Sequence, residues 1–211
     1  MSEAGLHIQS EIGTPRLRLR RLRPVDAALI ALHAGDARVA WMTTTIPHPY
    51  PPDAATSFVF ESRKGNALGQ SLRMAIAPRK KPQQLIGMIG IEASPEEGRP
   101  HLGYWLGAPH WGKGYATEAA RALVDAWFAY TDAHALTSAA RTVNPASRRV
   151  LEKCGFAHAG GGHMAFPARG GVFPVDRFVL ERPVWAALTP WTDSGFVPHD
   201  RPAKARALAE V

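Results

Sequence analysis

The sequence predicts a mixed α/β domain: a central, mostly antiparallel sheet, splayed between two parallel strands and flanked by helices. Two observations lead there. Residues 71–77, 84–93 and 100–107 are apolar or alternating runs joined by short polar turns, the signature of an antiparallel meander. The last of these runs leads through a glycine-punctuated turn into an amphipathic helix over 115–130 and then into another strand over 135–143. A strand, a crossover helix and a second strand place the two strands parallel through a right-handed connection. Parallel strands at the edge of a meander splay readily, and a ligand fits at their C-terminal ends.

Taken in order, residues 16–24 alternate Leu and Arg as a half-buried strand, with a slip at Arg20-Arg21 that reads as a bulge. Its arginines read as a solvated face rather than a nucleic-acid stripe. Pro24 opens a helix with Leu29, Leu32 and His33 among its periodic positions and Gly35 near its end. Residues 40–52 contain four prolines and form a long irregular connection, on which Trp41, His48 and Tyr50 make a pocket wall or pin the loop to the core. Asp53 is positioned as the N-cap of a helix running to Asn66. The 115–130 helix lays Ala116, Ala120, Leu123 and Trp127 on one face and Glu118, Arg121 and Asp125 on the other. Asn144 and Pro145 open a short helix that Gly155 ends, and strands over 156–166 and 173–182 follow, joined through Arg169-Gly170-Gly171. After Pro183 further prolines punctuate a tail with helical character only over 203–210. The expected organisation is an arm over 1–13, one domain over 14–185 and a tail over 186–211.

Composition narrows the class. Of the residues 45% are hydrophobic and 20% charged, as in an ordinary soluble domain. A single cysteine, Cys154, excludes a disulfide framework, and the first residues lack the basic-then-apolar order of a signal peptide. No apolar run reaches the length of a membrane span. These features point to the cytoplasm. The formal net charge of +7 favours acidic partners, a polyphosphate among them.

The most informative stretch is the turn Trp111-Gly112-Lys113-Gly114-Tyr115-Ala116. Glycines let the backbone fold tightly and approach a ligand closely, and the following helix directs its free N–H groups at the turn, which suits a phosphate. A dinucleotide fingerprint is excluded, because Thr117 stands where the third glycine belongs and no Asp or Glu occurs between Ala133 and Leu151. No Gly-Lys-Ser/Thr is present, which excludes a P-loop.

Gly103-Tyr104-Trp105-Leu106-Gly107, the glycine turn, and the segment from Asn144 to Phe156 together resemble the GNAT acetyltransferase superfamily, in its RimJ/RimL-like branch. The resemblance spans roughly residues 14–185. It implies the GNAT fold, acetyl-CoA as co-substrate, no metal, and transfer to a primary amine, favouring a protein or peptide N-terminus. It implies that Gly112, Lys113, Gly114, Tyr115 and Ala116 hold the pyrophosphate, with Trp111 in place of the usual polar first residue. Trp105, Leu106 and Gly107 would bind the pantetheine arm as an added strand, Asn144 would meet it from the other side, and an amide near Trp105 or Leu106 would meet the oxyanion. His101 occupies the position of a carboxylate base in many relatives, and Glu92 on the neighbouring strand is its rival. Leu151 stands where many relatives carry a tyrosine acid, and Ser147 is the substitute. Trp41, His48 and Tyr50 would face the acceptor, and Cys154 reads as a core residue. A ribosomal or other acidic partner and a monomer or homodimer are expected. The alternatives are a small-molecule amine acetyltransferase acting on an amino acid, polyamine or aminoglycoside, and a non-catalytic acyl-CoA-binding or RNA-associated module.

Overall fold

The computed structural model describes residues 11–93 and 99–188. One eight-stranded sheet runs in the order β1-β2-β3-β4-β5-β6-β8-β7, and every neighbouring pair is antiparallel except β5 and β6. The strands are β1 (Glu11–Gly13), β2 (Leu17–Arg20), β3 (Ser71–Pro78), β4 (Gly87–Ala93), β5 (Pro100–Leu106), β6 (Ala135–Arg141), β7 (Ala157–Phe166) and β8 (Gly171–Glu181). The helices are α1 (Ala27–Ala34), α2 (Ala37–Ala40), α3 (Ala54–Ala67), α4 (Tyr115–Tyr130), α5 (Pro145–Lys153) and α6 (Arg182–Leu188). The meander and the parallel pair both stand as the sequence predicts. Among the described residues no helix is long and apolar enough to cross a membrane.

The two sheet faces bury separate cores, because side chains alternate along each strand. On one face Leu19, Met74, Ile89, Leu102, Leu106 and Leu136 pack against Ala119, Ala120, Leu123 and Trp127 of α4. On the other, Ala75 and Met88 pack with Ile30 and Ala34 of α1 and Ala55 and Val59 of α3, with Trp105 and Tyr50 against them. Leu32, expected on the buried stripe of α1, is instead 67% exposed, while Ile30, His33 and Ala34 face inward.

Several details differ from the sequence reading. β1 lies in the stretch expected to be an arm and pairs with β2, Ile12 opposite Leu19. The slip at Arg20-Arg21 is not a bulge: the register with β3 runs unbroken to Arg20, where β2 ends. Arg20 then turns inward to the buried Asp26. Pro24 opens a 3-10 turn, Pro24–Asp26, before α1 proper. Asp53 occupies the N-cap position of α3 but makes no capping bond with its side chain. Asp125 is not on a solvated face of α4, because α6 covers it and Trp185 Nε1 donates to Asp125 Oδ1 at 2.8 Å.

That covering helix straddles the boundary expected at 185–186. Trp185 stacks on Phe128 at 5.1 Å, and Arg182 donates to the carbonyls of Phe128 (2.9 Å), Ala133 (2.8 Å) and Thr131 at the C-terminal end of α4. A cation among the last free carbonyls of a helix is favoured by the helix dipole. The helical stretch expected over 203–210 lies outside the described residues.

Candidate active site

The site begins where β5 and β6 part. Their ladder holds at one position, His101 opposite Thr137. Side chains extend it slightly: Thr137 Oγ1 donates to Pro100 O at 3.1 Å and Ser138 Oγ to Leu102 O at 2.8 Å. Farther along, β5 faces not β6 but α5, the helix that Asn144 and Pro145 start just after β6 ends. Tyr104 reaches across that gap. Its hydroxyl lies 2.9 Å from Ser147 Oγ and 3.1 Å from Ser147 O. Asn144 Oδ1 in turn caps α5 by accepting from Ser147 N at 3.1 Å.

Backbone alternation decides which amides of β5 face the gap. Gly107 N–H donates to Ile86 O at 2.9 Å, on the β4 side. Trp105 turns the same way, which leaves the Tyr104 and Leu106 N–H groups on the open side. Of the two amides expected near the oxyanion, Leu106 therefore has the orientation for it. The Leu106 carbonyl is taken by Trp111 Nε1 at 2.7 Å, so the indole that replaces a polar residue clasps the strand end.

Gly112 and Gly114 adopt φ of 74° and 77°, the left-handed region where a Cβ is costly. Gly114 is the N-cap of α4 and offers no capping side chain, so the helix presents its first amides to the turn. A residue missed in the sequence organises this turn. Arg16 donates from Nε to Glu118 Oε2 (2.6 Å) and from Nη1 to Lys113 O (2.9 Å), and lies 4.9 Å over the Tyr115 ring. Glu118, expected on the solvated face of α4, also accepts from Thr14 Oγ1 at 2.6 Å. Lys113 Nζ, expected as a point charge toward phosphate, donates to Pro109 O at 2.9 Å.

Tyr104 is the second residue missed. It was legible as part of a motif, but not as the phenol of the cleft; nothing in the sequence links it to a helix 43 residues later. Burial pushes its hydroxyl well above the usual phenol range, against the opposing pull of the Ser147 hydrogen bond. Leu151, in place of the relatives' tyrosine, is fully buried in the core. Cys154 is buried beside it, and burial pushes its thiol up to about 12, which suits a packing role rather than a nucleophile.

On the opposite sheet face, His101 and Glu92 are Cα partners across β5 and β4. Glu92 Oε2 is ion-paired with Arg73, whereas His101 Nδ1 lies 3.3 Å from Thr137 Oγ1. Tyr50 is half-buried in the cluster that holds Trp105, and burial raises its hydroxyl. His48 Nδ1 sits 3.1 Å from Gly35 O. Trp41 is 47% exposed beneath the Arg169 guanidinium, 5.3 Å away. Thus Tyr50 and Trp105 pack against the same core, Trp41 lies with Arg169, and His48 faces the end of α1. His33 and His110 meet edge to face at 5.3 Å beside Gly107, and burial lowers both imidazoles. Among the described residues no group of three or more His, Cys, Asp or Glu is arranged to hold a metal ion.

A strand end beside a glycine-capped helix, with two parallel strands parting next to it, offers free amides to an anion and to an extended chain. Residues 16–157 match the family model described as the acetyltransferase (GNAT) domain. The chain is 29% identical over 150 residues to the uncharacterized N-acetyltransferase p20 of Bacillus licheniformis, covering 70% of this chain and 82% of that one. Its fold superposes on RimJ of Mycobacterium smegmatis in complex with CoA-disulfide, with TM-score 0.69 and 19% identity over 86% of this chain and 94% of the other. It superposes likewise on the ribosomal-protein-S5-alanine acetyltransferase of Vibrio fischeri, with TM-score 0.70 and 17% identity over 84% and 99%. The cleft, the glycine turn and the matched span lead to one assignment: the chain belongs to the GNAT family, in its RimJ/RimL-like branch, and is an acetyl-CoA-dependent N-acetyltransferase.

Proposed function

We propose that this enzyme acetylates the N-terminal amine of a protein or peptide by direct attack within a ternary complex. The observation that carries the reading is the parting of β5 and β6, with Tyr104 and Ser147 on one side and the His101 face on the other. An acyl-enzyme is unnecessary when both substrates meet in one cleft. The amine nitrogen attacks the thioester carbonyl, and its proton passes to His101, directly or through water. Leu106 N–H steadies the developing oxyanion. The C–S bond breaks, the CoA thiolate takes a proton from Ser147 Oγ, Ser147 takes one from Tyr104 OH, and the proton given up by the amine returns through solvent to restore the phenol. Gly112 to Ala116 and Asn144 hold the CoA, and Trp41 and Tyr50 flank the approach of the acceptor. The names of the structural neighbours favour a peptide N-terminus.

The test is thiol release from acetyl-CoA with peptides beginning in Ser, Ala or Met, and with polyamines and aminoglycosides. Turnover confined to peptides supports the proposal. Turnover only with small amines replaces it, and tight CoA binding with no turnover would establish a non-catalytic module.

The proton relay makes its own prediction. Ser147→Ala should lower kcat by about a hundredfold, within the usual range for general acid catalysis. Tyr104→Phe should lower it by about tenfold, the worth of one hydrogen bond, with KM for acetyl-CoA unchanged. In the Ser147→Ala background the phenol has no hydroxyl to orient, so adding Tyr104→Phe should cost little more. Strict additivity of the two losses would disprove the relay.

A further inference from the structure

Arg141 and Arg169 differ from the arginines of this chain that are held by carboxylates. Arg16, Arg18, Arg20, Arg38, Arg73 and Arg148 each pair with a carboxylate. Among the described residues neither Arg141 nor Arg169 has a carboxylate at ion-pair distance. Each guanidinium lies over aromatic rings: Arg141 is 4.6 Å from Phe173 and 5.6 Å from Phe166, and Arg169 is 5.3 Å from Trp41. Arg141 Nη1 donates to Trp41 O at 2.7 Å, and Arg169 Nη2 donates to Ala40 O at 2.8 Å and to Ile46 O. The Nε–H of both is buried without a hydrogen-bond partner. An unpaired buried donor is costly, and both of these belong to guanidiniums that meet Trp41, Arg141 at its carbonyl and Arg169 at its ring.

Their location ties them to the reaction. β5 and β6 run parallel from the pairing of His101 with Thr137. Four residues farther along each strand stand Trp105 and Arg141, on either side of the parting, each about 13 Å along its own strand from that pairing. Alternation puts Arg141 on the face opposite Leu136 and Ala140, which are buried with α4. Arg141 therefore faces the side on which Trp105, Tyr50 and the loop after α2 lie.

We infer that Arg141, supported by Arg169 and Trp41, is an anion subsite that draws in an acceptor peptide carrying Asp or Glu close behind its N-terminal amine. A guanidinium fork suits a carboxylate, and stacking on aromatic rings holds it in place without neutralising it. The same charge repels polyamines and aminoglycosides. This inference rests on the acetyltransferase reading for its kinetic readout, and a binding readout keeps the two separable.

The experiment compares two peptides with the same first residue and amidated C-termini, one with Asp and Glu at the next positions and one with Asn and Gln. Wild-type kcat/KM should favour the acidic peptide by tenfold or more, and the preference should shrink as salt rises. Arg141→Gln should remove most of that preference while leaving the neutral peptide within about twofold, since one charge-assisted contact is lost. Arg141→Lys should retain part of it. A free amino acid against its amide forms the second arm, and a preference there alone would assign the anion to an α-carboxylate and overturn the peptide assignment. The binding readout is calorimetric titration of the N-acetylated product peptides into CoA-saturated enzyme; it needs no turnover and survives failure of the peptide-acetylation reading. Equal binding of both peptides by wild type, or an equal loss on both with Arg141→Gln, would reduce Arg141 to a fastening for the loop.

Discussion

Gly114→Val is expected to weaken CoA binding about 30-fold while leaving the protein folded. At φ 77° the valine would sit in the left-handed region, at a cost of about 1–3 kcal/mol for a non-glycine residue. Its Cβ would also stand 3.4 Å from Arg16 Nη2, in the middle of the clasp that links Arg16 to Glu118 and Lys113 O. The loop relieves both by moving, and the amides at the start of α4 then lose the aim that the proposed pyrophosphate site needs. Gly170 supplies the control: it has φ 61°, and a Cβ there meets nothing within 4 Å. Gly170→Val carries similar strain in a different turn, between β7 and β8, so it should lower Tm to a similar extent and leave the CoA Kd alone. Calorimetric titration of CoA into both variants separates the outcomes. A Gly114→Val protein that binds CoA like wild type would contradict the phosphate role of the turn.

The turn was legible because its information is local. Two glycines, a helix start with no capping side chain and an Asn-Pro helix start lie within short windows, and the structure places each where its neighbours in sequence demand. The parallel crossover followed from element order alone. Side-chain partners across long separations were not legible. Glu118 reads as a surface residue of an amphipathic helix, since periodicity reports the face but not what covers it; Thr14 and Arg16 cover it. Asp125 is misread for the same reason, with α6 as the cover. The Tyr104 phenol looked like one more strand aromatic until the parting of β5 and β6 brought α5 opposite it. Arg141 belonged to an ordinary strand until its contacts with Trp41 and Phe173 were fixed. The arginine-leucine run was legible as a strand, but the fate of each arginine depended on carboxylates elsewhere in the fold.

Asp26→Asn is expected to cost about 3–5 kcal/mol of stability at neutral pH, the range for breaking a buried ion pair. Asp26 has a fully buried side chain and Arg20 is 8% exposed. The contact is bidentate, Nη1 to Oδ2 at 2.7 Å and Nη2 to Oδ1 at 2.8 Å, and Arg23 N–H adds a third bond to Oδ2 at 2.7 Å. Burial alone pushes the carboxyl up, but Arg20 and the Arg23 amide together hold it below the usual carboxylate range. The sign follows. A carboxyl whose folded pKa is depressed stabilises the fold above its unfolded value, near 3.9 by the reference scale, and that contribution fades as pH falls through the lower folded value. Urea unfolding should therefore show a wide gap between wild type and Asp26→Asn at pH 7, narrowing as the medium becomes strongly acidic. For a chain of this size the neutral-pH loss corresponds to a Tm drop of about 10 °C. Arg20→Met combined with Asp26→Leu should recover much of it, because an apolar pair leaves no charge stranded. Equal stability of wild type and Asp26→Asn at pH 7 would disprove the assignment. The pair also fixes the entry to α1, and α1 carries the His33 ring against Gly107, where an added Cβ would lie 2.5 Å from Nδ1. If β5 holds the cofactor as proposed, loosening Asp26 should therefore raise KM for acetyl-CoA at temperatures well below unfolding, which links the stability of the first turn to the end of that strand.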